Sequence, residues 1–142
     1  MSAKDVISRA NIVVGVVTNK TGKVLILERI RKENANDGSG KRLSWVFPGG
    51  KIDGDESPAD AVVREVQLET GSRVTANKLI SEQDHPQFNV HIKYYACEIS
   101  DPRTTPIHDV HEVAQVKWVD KNAIRDFFVT DLDASVAKFL GI

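Results

Sequence analysis

Two glutamates, Glu65 and Glu69, stand four residues apart in a run that opens with Gly49-Gly50-Lys51 and closes at Gly71. On a helix this spacing places both carboxylates on one side, where they repel each other. A hard divalent cation resolves that repulsion. Carboxylate and backbone carbonyl oxygens are the ligands Mg²⁺ prefers, with substrate phosphates usually completing its shell. The competing account is an ordinary solvated pair of surface acids.

The element that must carry these acids is marked by local chemistry. Ser57 suits an N-cap, Pro58 the first helical position, Asp60 the positive end and Gly71 the position just past the last turn. A helix over 58–70 is therefore predicted. At about 100° per residue, Ala59, Val62, Val63, Val66 and Thr70 form one apolar stripe to pack on a sheet, with Glu65 and Glu69 along its border. Leu68 lies roughly 160° from the centre of that stripe, so core packing does not account for it.

The full spacing is G-x5-E-x7-R-E-V-x-L-E-x-G, from Gly50 through Glu56, Arg64 and Glu65 to Glu69 and Gly71. It resembles the Nudix box, G-x5-E-x7-R-E-U-x-E-E-x-G-U with U aliphatic, and the approach Trp45-Val46-Phe47-Pro48-Gly49-Gly50-Lys51 matches as well. Two positions depart: Leu68 replaces the first glutamate of the E-E pair and Ser72 the final aliphatic residue.

The resemblance implies an α/β Nudix fold, a mixed β-sheet sandwiched between α-helices. It also implies Mg²⁺-dependent hydrolysis of a nucleoside diphosphate linked to X, with Mn²⁺ as an alternative ion. It assigns Glu65 and Glu69 to metal binding and catalysis and adds the Gly50 carbonyl as a ligand. Glu56 and Arg64 become a brace between loop and helix, Arg64 counting with the catalytic set. A further glutamate is expected just before the Trp118-Val119 segment. Its commonest place holds Gln115 here; either Glu112 substitutes by loop geometry as ligand or general base, or the role falls to Glu69 or is absent. Arg29, Trp45 and Lys51 are the expected substrate contacts.

The small single-domain form favours a MutT-like (deoxy)nucleoside triphosphate pyrophosphohydrolase that releases the monophosphate and pyrophosphate. Pro86 keeps ADP-ribose or another nucleoside diphosphate derivative as the alternative substrate. Leu68 and Gln115, each in place of an expected glutamate, are the basis for a rival reading as a catalytically impaired nucleotide-binding module.

The 142 residues fit one domain, 1–142, large enough to bury a core without disulfides. With 19 basic and 20 acidic side chains there is no global field for a nucleic acid polymer or an anionic membrane. A single cysteine, Cys97, and the lack of a long apolar run in the first thirty residues make the cytoplasm the expected compartment. A homodimer is compatible with the sequence.

Taken in order, Ile12 to Val17 and Val24 to Ile30 read as a hairpin turned at Gly22. The polar stretch from Lys32 to Lys41 is a connection or a lid. Trp45 to Phe47 forms a short strand; after the box helix come strands over 73–81 and 90–99, a loop over 101–109 and a strand over 113–119. Helices near 121–128 and 131–140 close the chain. His108 and His111 with neighbouring acids lack a third and fourth zinc ligand at established spacing, and no phosphate-binding P-loop motif occurs.

Overall fold

The computed structural model describes residues 10–30, 43–84, 89–128 and 132–142. The strands are β1 (Ala10–Thr18), β2 (Lys23–Ile30), β3 (Leu43–Val46), β4 (Gly49–Lys51), β5 (Ser72–Asp84), β6 (Val90–Thr104) and β7 (Val113–Asp120). The helices are α1 (Pro58–Thr70), α2 (Ile124–Phe127), entered through a 3₁₀ turn at Lys121–Ala123, and α3 (Ala134–Leu140). The expected connection from Lys32 to Lys41 and Pro86 lie outside the described residues.

The sheet has the order β3-β2-β1-β6-β5, with β4 added on β1 and β7 on β2. β1 and β6 run parallel from Ala10↔Val90 to Thr18↔Glu98, while the other pairings are antiparallel. β1 and β2 meet only at Thr18↔Val24, next to their turn. There Asn19 Oδ1 accepts from the amides of Thr21 and Lys23. Beyond that point the two strands diverge, β1 pairing with β4 and β2 with β7.

Both faces of this mixed sheet are covered. On the α1 face, Val62 and Val66 pack with Val13, Val17, Leu25, Val74 and Cys97. On the other, Ile124, Val136 and Leu140 from α2 and α3 pack with Val16, Val24, Ile26 and Val119. Strand β2 sends Leu25 to one core and Val24 and Ile26 to the other, which is why it reads as an unbroken apolar run. Each fully buried valine or leucine stabilises by about 1.5–3 kcal/mol, so the two layers clamp the sheet that carries the site.

Helix α1 has the bounds its caps predict: Ser57 Oγ accepts from Asp60 N, and Gly71 takes the left-handed conformation at φ 75°. Its buried face is rotated from the expected stripe. Ala61, not Ala59, is fully buried, and Glu69 lies inside the core layer instead of at its border. The expected loop over 101–109 is also shorter, because β6 continues to Thr104. Pro102 is tolerated there since β5 pairs through Arg73↔Asp101 and Ser72↔Thr104 with register shifts on either side of Arg73, where one amide can go unpaired.

Candidate active site

The loop–helix junction is fixed by Arg64. Its Nε and Nη2 donate to the two oxygens of Glu56 at 2.8 and 3.0 Å, Nη2 also to the Lys51 carbonyl at 3.2 Å, and Nη1 to Glu65 Oε1 at 2.9 Å. Glu56 in turn accepts from the Asp53 amide at 3.1 Å. A planar guanidinium engaged on both edges cannot swing without breaking several charge-assisted bonds, so loop and helix move as one unit. Arg64 holds the Glu56 carboxyl below its ordinary range, and Glu56 raises Arg64 above its own.

Glu65 lies over the backbone of Gly50. A β-carbon at Gly50 would come within 2.6–2.9 Å of the Glu65 carboxyl atoms, so the absence of a side chain is what lets this carboxylate lie on the loop. Glu69 is almost fully buried, at 1% exposure. Its Oε1 accepts from Gly49 N at 2.7 Å and its Oε2 from Arg29 Nη2 at 2.5 Å. Burial pushes both carboxyl groups up; for Glu69 the value reaches about 7 despite the opposing pull of Arg29 and the Gly49 amide. A nearby cation would favour the charged form of both carboxyl groups, against the burial that raises them.

The third acid in the cluster is Asp109. One oxygen each from Glu65, Glu69 and Asp109 lie within 4.8 Å of one another. The sequence pointed instead to Glu112, which sits in the same turn but is 61% exposed and reaches Arg29 Nη1 at 4.0 Å. Turn geometry explains the difference. The amides of Glu112 and Val113 both bond back to the Asp109 carbonyl at 2.9 and 3.0 Å, which leaves Asp109 beside α1 and Glu112 further out. Glu112 is thus not among the grouped carboxylates. Asp109 had no distinguishing spacing in the sequence; its only signal was an acid in the segment just before the last strand. The donor set of three carboxylates, with a carbonyl-bearing glycine loop beside it, fits Mg²⁺ or Mn²⁺. His108 and His111 are exposed and join no such group among the described residues.

The remaining expected site residues are distributed around this centre. Gln115 donates to Glu28 at 3.1 Å and is exposed. Lys51 is exposed at the end of β4, with its carbonyl held by Arg64. Trp45 meets the Phe127 ring edge-on at 5.3 Å and lines a cavity of about 180 Å³ with Val14, Phe47, Tyr94, Phe128 and Asp133. That cavity adjoins β3 and the approach to the Gly49-Gly50 loop, on the sheet face opposite α1.

The class defined by this sheet, box helix and acid cluster agrees with comparisons to known proteins. The NUDIX domain model matches residues 8–140, and the chain belongs to that family. It is a Nudix hydrolase, of the class that cleaves phosphoanhydrides in nucleotide substrates with divalent metal ions. An 8-oxo-dGTP diphosphatase from Proteus vulgaris is 33% identical over 84 residues, 59% of this chain and 70% of that protein. The mouse nucleoside diphosphate-linked moiety X motif 6 protein is 31% identical over 126 residues, 84% of this chain but 37% of its own length, so the chain spans well under half of that relative. Among solved structures, a NUDIX hydrolase from Nitrosomonas europaea shares the fold with TM-score 0.75 at 17% identity, over 94% of this chain and 70% of that one. Among the described residues, no helix is long and apolar enough to cross a membrane.

Proposed function

We propose that the chain is a Mg²⁺-dependent (deoxy)nucleoside triphosphate pyrophosphohydrolase that releases a nucleoside monophosphate and pyrophosphate. The observation that carries this reading is the convergence of Glu65 and Glu69 beside the Gly49-Gly50 loop, with Arg29 bonded to Glu69 at the same point. Glu65, Glu69 and the Gly50 carbonyl would hold the ion. Bound there, Mg²⁺ supplies Lewis-acid neutralisation of charge on the bridging phosphates.

The chain's own groups supply the rest. Arg29 offers a guanidinium to the phosphates, with Lys51 as a second cation beside the loop. Glu112, exposed and close to Arg29, takes a proton from water as its oxygen bonds to phosphorus in line, the bridging P–O bond breaks and pyrophosphate leaves. Arg64 and Glu56 keep Glu65 in register. Stabilisation directed at charge that develops in the transition state raises turnover and not only binding.

Trp45, Phe47, Tyr94 and Phe128 border a cavity that offers aromatic surface for a base to stack on, in keeping with a nucleotide substrate. The similarity to an 8-oxo-dGTP diphosphatase supports a nucleoside triphosphate as the substrate. We place this activity in the cytoplasm, where the single buried Cys97 thiol needs no partner.

The test is Mg²⁺-dependent phosphate release through a coupled pyrophosphatase or phosphatase. The panel covers all ribo- and deoxynucleoside triphosphates, ADP-ribose and a dinucleoside polyphosphate, with Glu69→Gln in parallel. Turnover of a triphosphate that disappears in Glu69→Gln is the expected result. Turnover of ADP-ribose alone would replace the substrate assignment. No turnover with nucleotide still binding in a calorimeter would make the chain a binding module.

A further inference from the structure

We propose that Arg29 is a latch on Glu69, which a divalent cation must lift in order to reach that carboxylate. The lifted guanidinium is the one that then receives the phosphates of the nucleotide, so ion and nucleotide are taken up in that order. The inference rests on the metal-dependent reading above and adds to it an exchange of partners at Arg29.

Glu69 is closed on both sides. Its Oε1 accepts from Gly49 N at 2.7 Å and its Oε2 from Arg29 Nη2 at 2.5 Å, and at 1% exposure there is no open approach to either oxygen. An ion that takes one of them has to displace a group already there. The Gly49 amide cannot yield. It lies in β4, paired with β1 at Val14↔Gly49, and a β-carbon on this glycine would run into the Val13 carbonyl oxygen. Nor can α1 turn, since Val62 and Val66 are fully buried in the core beneath it.

Arg29 can leave. Its side chain is 27% exposed, and among the described residues its one hydrogen bond is the one to Glu69. Arg64 shows the contrast, with four hydrogen bonds to Glu56, Glu65 and the Lys51 carbonyl. On its outer side Arg29 Nη1 lies 4.0 Å from Oε2 of the exposed Glu112, so a guanidinium turned outward keeps an anionic neighbour. The ion supplies the driving force, because it brings positive charge to the carboxylate that holds Arg29, and like charges on one acceptor repel. Turned out, the planar fork of donors is offered to phosphate oxygens in bidentate form. Latched, its charge is balanced by Glu69, and an incoming phosphate meets the neighbouring acids instead.

The test follows the guanidinium by nuclear magnetic resonance of the chain carrying isotope-labelled arginine, stripped of metal and titrated with Mg²⁺. The Arg29 Nε–Hε resonance is identified by its absence from Arg29→Lys. Its hydrogen exchange with water is expected to speed up by about tenfold or more as Mg²⁺ occupancy, measured by calorimetry, rises, while Arg64 keeps its slow exchange. The order of uptake is read from pyrophosphate binding to the metal-stripped chain. Glu69→Gln, which releases Arg29, should tighten it by about tenfold; Glu65→Gln, which removes the same charge and leaves Arg29 latched, by about threefold or less. Adding Arg29→Ala to Glu69→Gln should abolish the gain. Slow Arg29 exchange retained at Mg²⁺ saturation, or equal gains in the two single variants, would overturn the inference in a chain that still hydrolyses nucleotide. Faster exchange in a chain that hydrolyses nothing would remove the hydrolase reading alone, and a chain that binds no Mg²⁺ would lose both.

Discussion

Arg29 on β2 and Glu69 on α1, forty residues apart in sequence, form a direct ion pair, Nη2 to Oε2 at 2.5 Å, with Glu69 almost wholly buried and Arg29 about a quarter exposed. Among the described residues this guanidinium is the positive charge paired with Glu69.

Arg29→Ala should therefore destabilise the metal-free protein, by about 1–3 kcal/mol for a buried acceptor left without its partner. Saturating Mg²⁺ should recover part of the loss, because the ion brings positive charge to the same carboxylate. Thermal unfolding of both forms with and without Mg²⁺ measures this. Equal losses in the two conditions would mean that Arg29 and the ion do not share Glu69. In assays Arg29→Ala should raise KM if the arginine also contacts phosphates.

Glu56 gives the expected pH dependence. Its folded pKa is lowered by Arg64 and the Asp53 amide, so its contribution is fully present above its ordinary value of 4.5 and is lost as pH falls through the lower folded value. Glu56→Gln should reduce stability at neutral pH and converge with wild type in strongly acid solution. A pH series of unfolding midpoints for the two proteins tests the sign; a constant difference down to the most acid point would show that the brace does not act through this charge.

Gly50→Ala should damage the site while sparing the fold. The new methyl would lie 2.6–2.9 Å from the Glu65 carboxyl atoms, which must move away from the loop. Weakened Mg²⁺ binding and about a tenfold or greater fall in kcat/KM are expected, about 1.4 kcal/mol or more in transition-state stabilisation. Far-ultraviolet circular dichroism should be unchanged. Wild-type metal affinity in this variant would show that Glu65 does not need its place on the loop.

Leu68→Glu adds an acid on the same turn of α1 and should tighten Mg²⁺ binding and raise turnover. Calorimetry and turnover of the variant check both; unchanged affinity and rate would mean that position 68 does not reach the ion.

Much of the site's frame was legible in the chain because it is local. The ends of α1 follow from Ser57, Pro58 and Gly71, and the Glu56–Arg64 contact spans eight residues across one loop–helix junction. The turn at Asn19–Gly22 follows in the same way from turn chemistry between two apolar runs. The rotation of α1 that buries Glu69 was not legible, since helical periodicity ranks residues by polarity and cannot anticipate a glutamate satisfied by Arg29 and the Gly49 amide.

The sequence by itself determined the box helix and the side-by-side placement of Glu65 and Glu69, because capping, periodicity and fixed spacing act over a few residues, and its resemblance to the Nudix box carried the braced loop and the sandwich of helices about a mixed sheet. Tertiary structure alone decided that Asp109 and not Glu112 joins that pair, and that Arg29 is the counter-ion of Glu69. The first depends on a loop distant in sequence docking on the last turn of α1 through the Leu68 and Gly71 carbonyls, the second on the side-chain reach from β2 to Glu69.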